Sequence, residues 1–279
     1  MTHTRRSERD GILTLVFTRD AKLNAMDPGM IEELRRAVAD MADRDDLRVL
    51  VITAEGRYFT AGIDIASLNP DPGRTAAGDV SGIKTRAFLR RLHVLIDSLE
   101  SLEKPVVIAA QGPCLGLGLE IAVSCDFRLA AERATFSLPE IPKMGVIAGS
   151  GGISRLTRLI GPHWARWLAL ASRTVGAKQA MDIGLVHEVY PDADFAERVQ
   201  EFARSLTALS GEALGLAKLA IDAAVSADRT TARDFDRIAN TLLLHAAQNR
   251  DVVQRYRTRT EDVAGEDRPG GSKDGEAKP

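Results

Sequence analysis

The sequence has little cysteine, few aromatic residues and no long hydrophobic run. Its two cysteines among 279 residues, Cys114 and Cys125, are too few for the disulfide framework of a small secreted domain. No stretch approaches the roughly 18 apolar residues of a transmembrane helix, and the N-terminus lacks the apolar segment of a signal peptide. These absences predict a cytoplasmic protein that does not bind membranes.

An excess of charge of one sign is also absent. The 37 Lys and Arg residues nearly balance the 39 Asp and Glu residues, which leaves a net charge of −2. Nucleic-acid partners are therefore not expected, since they require a basic surface. Arg5-Arg6 is expected to be part of a solvated terminus. Arg86 with Arg90-Arg91 is expected to form a solvated helix face, with contact to a phosphate as the alternative.

The order of apolar patterns predicts alternating strands and helices. Residues 11–17, 49–53 and 106–110 have the composition of strands, and short strands are expected at 127–130 and 134–138. Helical spacing predicts helices at 30–41, 84–102, 116–125, 195–209, 212–226 and 231–255. Such alternation indicates an α/β core.

The chain divides into three predicted parts. Residues 1–200 are expected to form a catalytic core, and residues 201–259 a helical region that mediates oligomerisation. Residues 260–279 contain no aromatic residue and are expected to be a disordered tail. The Pro- and Gly-containing stretch 69–79 is expected to be a loop.

Two turns that contain glycine are the most informative local feature. Residues 59–64 (FTAGID) follow one predicted strand, and residues 112–120 (GPCLGLGLE) follow another. Glycine lets the backbone turn sharply and expose its N–H groups. Two such turns side by side could direct two backbone donors at one oxygen atom, which is an oxyanion hole.

Two carboxylates accompany these turns. Glu120 ends the second turn, and Glu140 follows in Ser137-Leu138-Pro139-Glu140. A pair of carboxylates beside an oxyanion hole could perform acid–base chemistry next to an enolate. The alternative is structural, since a glutamate in the first turn of a helix commonly stabilises that helix and a Pro-Glu pair in a loop is commonly exposed. Neither turn matches the glycine pattern of a nucleotide-binding motif.

Six segments in this order resemble the enoyl-CoA hydratase/isomerase (crotonase) superfamily, over roughly residues 10 to 255. The segments are Arg19 with 22–26 (KLNAM), 59–64 (FTAGID), 104–112 (KPVVIAAQG), 116–126 (GLGLEIAVSCD), Pro139-Glu140, and 149–156 (GSGGISRL). The resemblance implies a β-β-α spiral core followed by helices, and a homotrimer or a hexamer.

The resemblance also implies a role for individual residues. The oxyanion donors would be the backbone N–H groups of Ile63 and Leu117, and the catalytic pair would be Glu120, as base, and Glu140, as acid. Coenzyme A would be part of the substrate, so neither a separate cofactor nor a metal is expected. The residues implied in binding coenzyme A are Lys22, Ala61, Gly62, Asp64 and Gly116. None of the five histidines has a partner pattern typical of a triad, so each is expected to be structural.

The implied reaction is syn addition of water to a trans-2-enoyl-CoA thioester. Isomerisation or hydrolysis of a CoA thioester on the same scaffold is an alternative, since a fold does not determine its chemistry. The third possible function is that of a catalytically silent subunit that binds acyl-CoA. Residues 140–145 (EIPKMG) are one residue longer than the usual hydratase segment, and Leu117 stands where many relatives have glycine.

Overall fold

The computed structural model describes residues 3–66, 82–246 and 253–254. The predicted loop at 69–79 and the predicted tail at 260–279 lie outside these residues. The described residues fall into two compact units, which divide after Gly215. The boundaries predicted after residues 200 and 259 stay predictions. None of the helices in the described ranges is long and apolar enough to cross a bilayer.

Strands and helices alternate along the first unit, which confirms the predicted α/β class. The strands are β1 (Thr4–Arg9), β2 (Ile12–Phe17), β3 (Val49–Ala54), β4 (Val106–Ala110), β5 (Cys114–Leu115), β6 (Phe127–Ala131), β7 (Thr135–Ser137), β8 (Val175–Gly176) and β9 (Glu188–Tyr190). The helices are α1 (Pro28–Asp43), α2 (Gly82–Ser101), α3 (Leu117–Ala122), α4 (Glu140–Met144), α5 (Gly152–Ala169), α6 (Ala177–Asp182), α7 (Phe195–Thr207), α8 (Gly211–Ser226) and α9 (Arg229–His245), with a short 3-10 helix at Asp20–Lys22.

The main sheet has the strand order β1-β2-β3-β4-β6-β9 and is parallel except for the β1–β2 pair. Leu50 and Ile52 of β3 pack in the core cluster that includes α1, whereas Val49 and Val51 pack in the cluster that includes α7. Side chains alternate between the faces of a strand, so helices cover both faces. This explains why the central strands have continuous apolar runs.

A smaller sheet, with the order β5-β7-β8, places the two glycine-containing turns next to each other. An isolated bridge joins Thr60 of the first turn to Cys114 of β5, and a second joins Met26 to Ile63. The buried Cys114 lies under the second turn with a free thiol, as expected for a small packed residue. Burial raises the pKa of that thiol.

Three local predictions require correction. The N-terminal segment is an edge strand, in which Arg5 is exposed as expected but the half-buried Arg6 forms an ion pair with Asp40 at 2.5 Å. The helix predicted at 116–125 ends at Ala122, because the chain leaves the helix before β6. Glu140 does not lie in a loop but begins the short helix α4.

Candidate active site

A buried asparagine, Asn24, holds the first turn by hydrogen bonds to the backbone. The Nδ2 of Asn24 donates to the carbonyl oxygens of Glu55 and Tyr58, both at 2.8 Å. The hydroxyl of Thr60 in turn donates to the carbonyl oxygen of Asn24 at 2.7 Å. These bonds hold the backbone that leads into Gly62, whose φ of +96° favours glycine.

Asp64 braces the same turn from its other end. Its Oδ2 accepts a hydrogen bond from Nη1 of Arg19 at 2.6 Å, and that guanidinium nitrogen also donates to the carbonyl oxygen of Ala25 at 2.8 Å. Lys22, at the end of the 3-10 helix, is exposed. The implied roles of Asp64 and Lys22 in binding coenzyme A stay predictions.

The two turns meet at their glycines. A Cβ atom on Gly62 would stand 3.5 Å from the backbone nitrogen of Leu117 and 3.6 Å from the Cα of Gly116. Gly116 has a φ of +56°, and its own N–H donates to the carbonyl oxygen of Ser137 at 3.1 Å. Glycine is therefore needed at both positions, for conformation and for close approach.

Within the described residues, each turn contains a backbone donor without a protein partner at the position predicted for the oxyanion hole. Met26 bonds to the carbonyl oxygen of Gly62 and to the N–H of Asp64, so the N–H of the intervening Ile63 points away from it. Leu117 is the first residue of α3, where N–H groups have no partner within the helix. Across the described part of the chain, neither N–H donates to a protein acceptor.

A cavity of about 70 Å³ lies between the two turns and α4. Six of the nine residues predicted for the site line this cavity. These are Ala61, Gly62, Ile63, Gly116, Leu117 and Glu140. Its remaining lining residues are Ile65, Pro139, Lys143 and Met144. None of the predicted residues lines a larger cavity of about 720 Å³, which lies between α1 and α2.

Glu120 is buried on α3, is not among the residues that line this cavity, and is held by backbone donors. Its Oε2 accepts hydrogen bonds from the N–H of Ser150 at 2.7 Å and of Gly152 at 3.0 Å. A Cβ on Gly152 would stand 2.6 Å from the Cγ of Glu120, so only glycine fits there. Burial raises the pKa of Glu120, the two backbone donors lower it, and charge repulsion from Glu140 raises it; the net direction is upward.

Glu140 projects from the first turn of α4 and is 9% exposed. Its Oε1 lies against the second turn, 2.8 Å from the place where a Cβ on Gly116 would stand. Its Oε2 is buried and has no hydrogen-bond partner. Burial raises the pKa of Glu140, although a hydrogen bond from its own backbone N–H and the nearby ammonium of Lys143 lower it in part.

Four residues contribute to this site in ways that the sequence did not indicate. Lys143 was not predicted, although its spacing from Glu140 places both on one face of a helix. Ser150 and Gly152 lie in a recognised motif, but nothing local indicates that their N–H groups face Glu120. The fourth, His93 of α2, was expected to be structural; its Nε2 lies 2.6 Å from the carbonyl oxygen of Gly149.

Comparison with known proteins gives one family and several named reactions. Residues 7–263 match the family model "Enoyl-CoA hydratase/isomerase". The 4-chlorobenzoyl coenzyme A dehalogenase-2 of an Arthrobacter species is 34% identical over 211 residues, which is 75% of this chain and 74% of that protein. The short-chain-enoyl-CoA hydratase of Clostridium acetobutylicum is 32% identical over 231 residues, or 82% of this chain and 85% of that protein.

A solved structure supports the same fold. The enoyl-CoA hydratase from Bacillus anthracis superposes with a TM-score of 0.83 at 27% identity, and the match covers 92% of this chain and 96% of that one. This confirms the fold that the sequence motifs imply.

Proposed function

Because the chain belongs to the enoyl-CoA hydratase/isomerase family, we propose that it adds water to the double bond of trans-2-enoyl-CoA thioesters. One observation supports this reaction above the others. Glu120 and Glu140 are both buried, and they lie close enough for the charge of one to raise the pKa of the other. A water molecule held between two carboxylates can lose a proton to one while the substrate gains a proton from the other.

The free N–H groups of Ile63 and Leu117 would bind the thioester oxygen. When the nucleophile adds to C3, negative charge moves to this oxygen, and donors already in position stabilise the resulting enolate. Both donors belong to the backbone, so the bulk of the Leu117 side chain does not remove its donor.

The surroundings of the two carboxylates suggest different roles. Glu120 has two backbone donors on Oε2, which favour the ionised form, so it would take the proton from water. Burial raises the pKa of both groups, but Glu140 has a buried oxygen without a partner, so its protonated form would give a proton to C2. The water oxygen becomes the C3 hydroxyl, and the proton left on Glu120 exchanges with solvent while Glu140 takes up another.

A substrate panel tests the reaction. Hydration removes the conjugated enoyl-thioester absorbance and yields a 3-hydroxyacyl-CoA, which we expect with short or long trans-2-enoyl-CoA substrates. An isomerase would instead interconvert 2- and 3-enoyl-CoA without gain of oxygen, and a hydrolase would release free coenzyme A. Chloride release from 4-chlorobenzoyl-CoA, the substrate in the name of one relative, would indicate a dehalogenase. Turnover of none of these would indicate a binding subunit.

Substitution of each carboxylate tests the mechanism. We expect Glu120→Gln and Glu140→Gln each to lower kcat by at least about 10²-fold, because glutamine cannot exchange the proton. Both variants should still bind acyl-CoA, and the double variant should be little worse than the worse single one. Glu197→Gln, on the exposed side of α7, is the matched control. Full hydratase activity in either site variant would contradict the two-carboxylate mechanism.

A further inference from the structure

We propose that His93 is a positioning residue for Glu120, and that it acts through the peptide group between Gly149 and Ser150. The inference rests on the proposed hydratase function for its kinetic consequence. Its structural basis is independent of the reaction, since it consists of two hydrogen bonds to opposite ends of one peptide group.

The first hydrogen bond joins α2 to the glycine-rich segment. The Nε2 of His93 lies 2.6 Å from the carbonyl oxygen of Gly149. A carbonyl oxygen only accepts, so Nε2 must bear the proton and act as the donor. This fixes the tautomer of the imidazole.

The second hydrogen bond joins the same peptide group to the carboxylate. The N–H of Ser150 donates to Oε2 of Glu120 at 2.7 Å. The carbonyl of Gly149 and the N–H of Ser150 belong to one planar unit, so they point in opposite directions and cannot rotate separately. The imidazole at one end therefore sets the direction of the donor at the other.

The segment needs such a restraint. Residues 149–152 read Gly-Ser-Gly-Gly, and glycine gives the backbone unusual conformational freedom. Gly151, for example, has a φ of +94°. His93 stands on the regular helix α2, which is a rigid platform by comparison.

The two hydrogen bonds also act on each other electronically. A donor at the carbonyl oxygen polarises the amide and strengthens its N–H as a donor, as in other hydrogen-bonded chains. This polarisation stabilises the ionised form of Glu120. The charge interaction with His93 also lowers the pKa of Glu120, which opposes the increase caused by burial.

Ion pairs also join α5 to α2. Arg155 of α5 donates to Asp97 at 2.6 Å and to Glu100 at 2.9 Å, both on α2. Among the titratable groups with a resolved effect on Glu120, Glu140 raises its pKa and His93 lowers it. The Arg155 ion pairs hold α5 against α2 without His93, so loss of His93 should leave the fold intact.

The test compares variants that lack or keep an N–H donor at position 93. His93→Ala removes the N–H, whereas His93→Gln places an amide N–H at a similar reach. We expect the acidic limb of the kcat/KM–pH profile to move up in the Ala variant by on the order of half a pH unit. KM should stay near the wild-type value, because His93 does not line the cavity. The Gln variant keeps a donor but no imidazole charge, so it should move the limb back towards the wild-type position, and His245→Ala of α9 is the control for loss of an imidazole.

A readout without turnover separates this proposal from the proposed function. Titration of Glu120 by ¹³C NMR, with Glu120→Gln to assign the signal, should show a higher pKa in His93→Ala than in the wild type. Unchanged titration, or a Gln variant as impaired as the Ala variant, would overturn the role of His93. Absent hydration with a shifted titration would overturn only the reaction. If His93→Ala fails to fold, His93→Asn, whose amide is shorter by one methylene, takes its place.

Discussion

The two carboxylates of the site differ in what surrounds each oxygen. The Oε2 of Glu120 accepts two backbone hydrogen bonds, whereas the Oε2 of Glu140 is buried without a partner. A buried, unpartnered charge is costly, so the folded protein favours the neutral form of Glu140. The feature that suits Glu140 to donate a proton should therefore also reduce the stability of the protein at neutral pH.

This cost predicts that Glu140→Gln stabilises the protein as the pH rises. The pKa of Glu140 in the folded protein is raised above its usual value of 4.5, so the folded protein holds this proton more tightly than the unfolded chain. Its stabilising effect is present below pH 4.5 and is lost as the pH rises through the folded-state pKa. Glutamine does not titrate, so the variant should avoid this loss.

Thermal unfolding at pH 5 and pH 8 measures the effect. The Tm of Glu140→Gln, relative to the wild type, should be higher at pH 8 than at pH 5, and roughly 2–4 °C corresponds to each kcal/mol in a chain of this size class. Glu197→Gln should show no such pH dependence. A Tm difference that is constant, or that falls with pH, would show that Glu140 is not held in its neutral form.

At the scale of elements, the start of α3 supplies one proposed donor. Leu117 is the first residue of that helix, a position that tolerates proline because its N–H has no helical partner. Gly116 has no Cβ, which relieves the clash that a residue before proline usually suffers. Leu117→Pro should therefore delete one N–H group with little other change to the backbone.

We expect Leu117→Pro to lower kcat by about 10²–10³-fold, the usual cost of losing one oxyanion donor. Leu117→Ala is the matched control, because it also loses the isobutyl group but keeps the N–H. The kcat of both variants is measured after circular dichroism confirms folding. Equal activity in the two variants would remove Leu117 from the oxyanion hole.

Buried, strongly patterned elements were predictable from the sequence, and exposed or short ones were not. The apolar runs of β3 and β4 identify them as central strands. The edge strand β1 has mostly polar, exposed residues, so its pattern does not indicate a strand. The helix α4 has five residues and contains Pro142, which hides it from a search for helical periodicity.

The candidate site was predictable only in part for a related reason. The glycine-containing turns, Glu120 and Glu140 are recognisable because local spacing and motif order identify them. The partners of Glu120 are not recognisable from the sequence, because Ser150 lies 30 residues away along the chain and donates through its backbone. A backbone donor leaves no specific side chain in the sequence, so only the three-dimensional structure reveals it.

At the scale of the whole molecule, the second unit presents large apolar side chains to solvent. In α8 and α9, Ile221, Val225, Ile238, Leu242 and Leu244 are all at least 59% exposed. Exposed apolar groups of this kind are typical of interaction surfaces. We therefore keep the proposal that the chain forms a homotrimer or a hexamer.

Light scattering tests this proposal, with three or six times the chain mass of 30.2 kDa as the expected result. Ile238→Glu combined with Leu242→Glu should shift the protein towards smaller species, because a charge buried at an interface is costly. Arg237→Glu on the same helix is the control for added negative charge. A wild-type protein that remains a 30.2 kDa species at micromolar concentration would contradict the proposal.

The contact between Gly62 and Gly116 has a consequence for how new activities could arise in this chain. The groups proposed to activate the thioester belong to the backbone, so almost no codon change can erase them as long as these glycines remain. The proposed acid–base groups belong to the side chains at positions 120 and 140, the ammonium beside them to position 143, and single mutations can exchange all three. A mutant library that randomises only those three positions would therefore search for different reactions while inheriting a constant means of recognising the substrate.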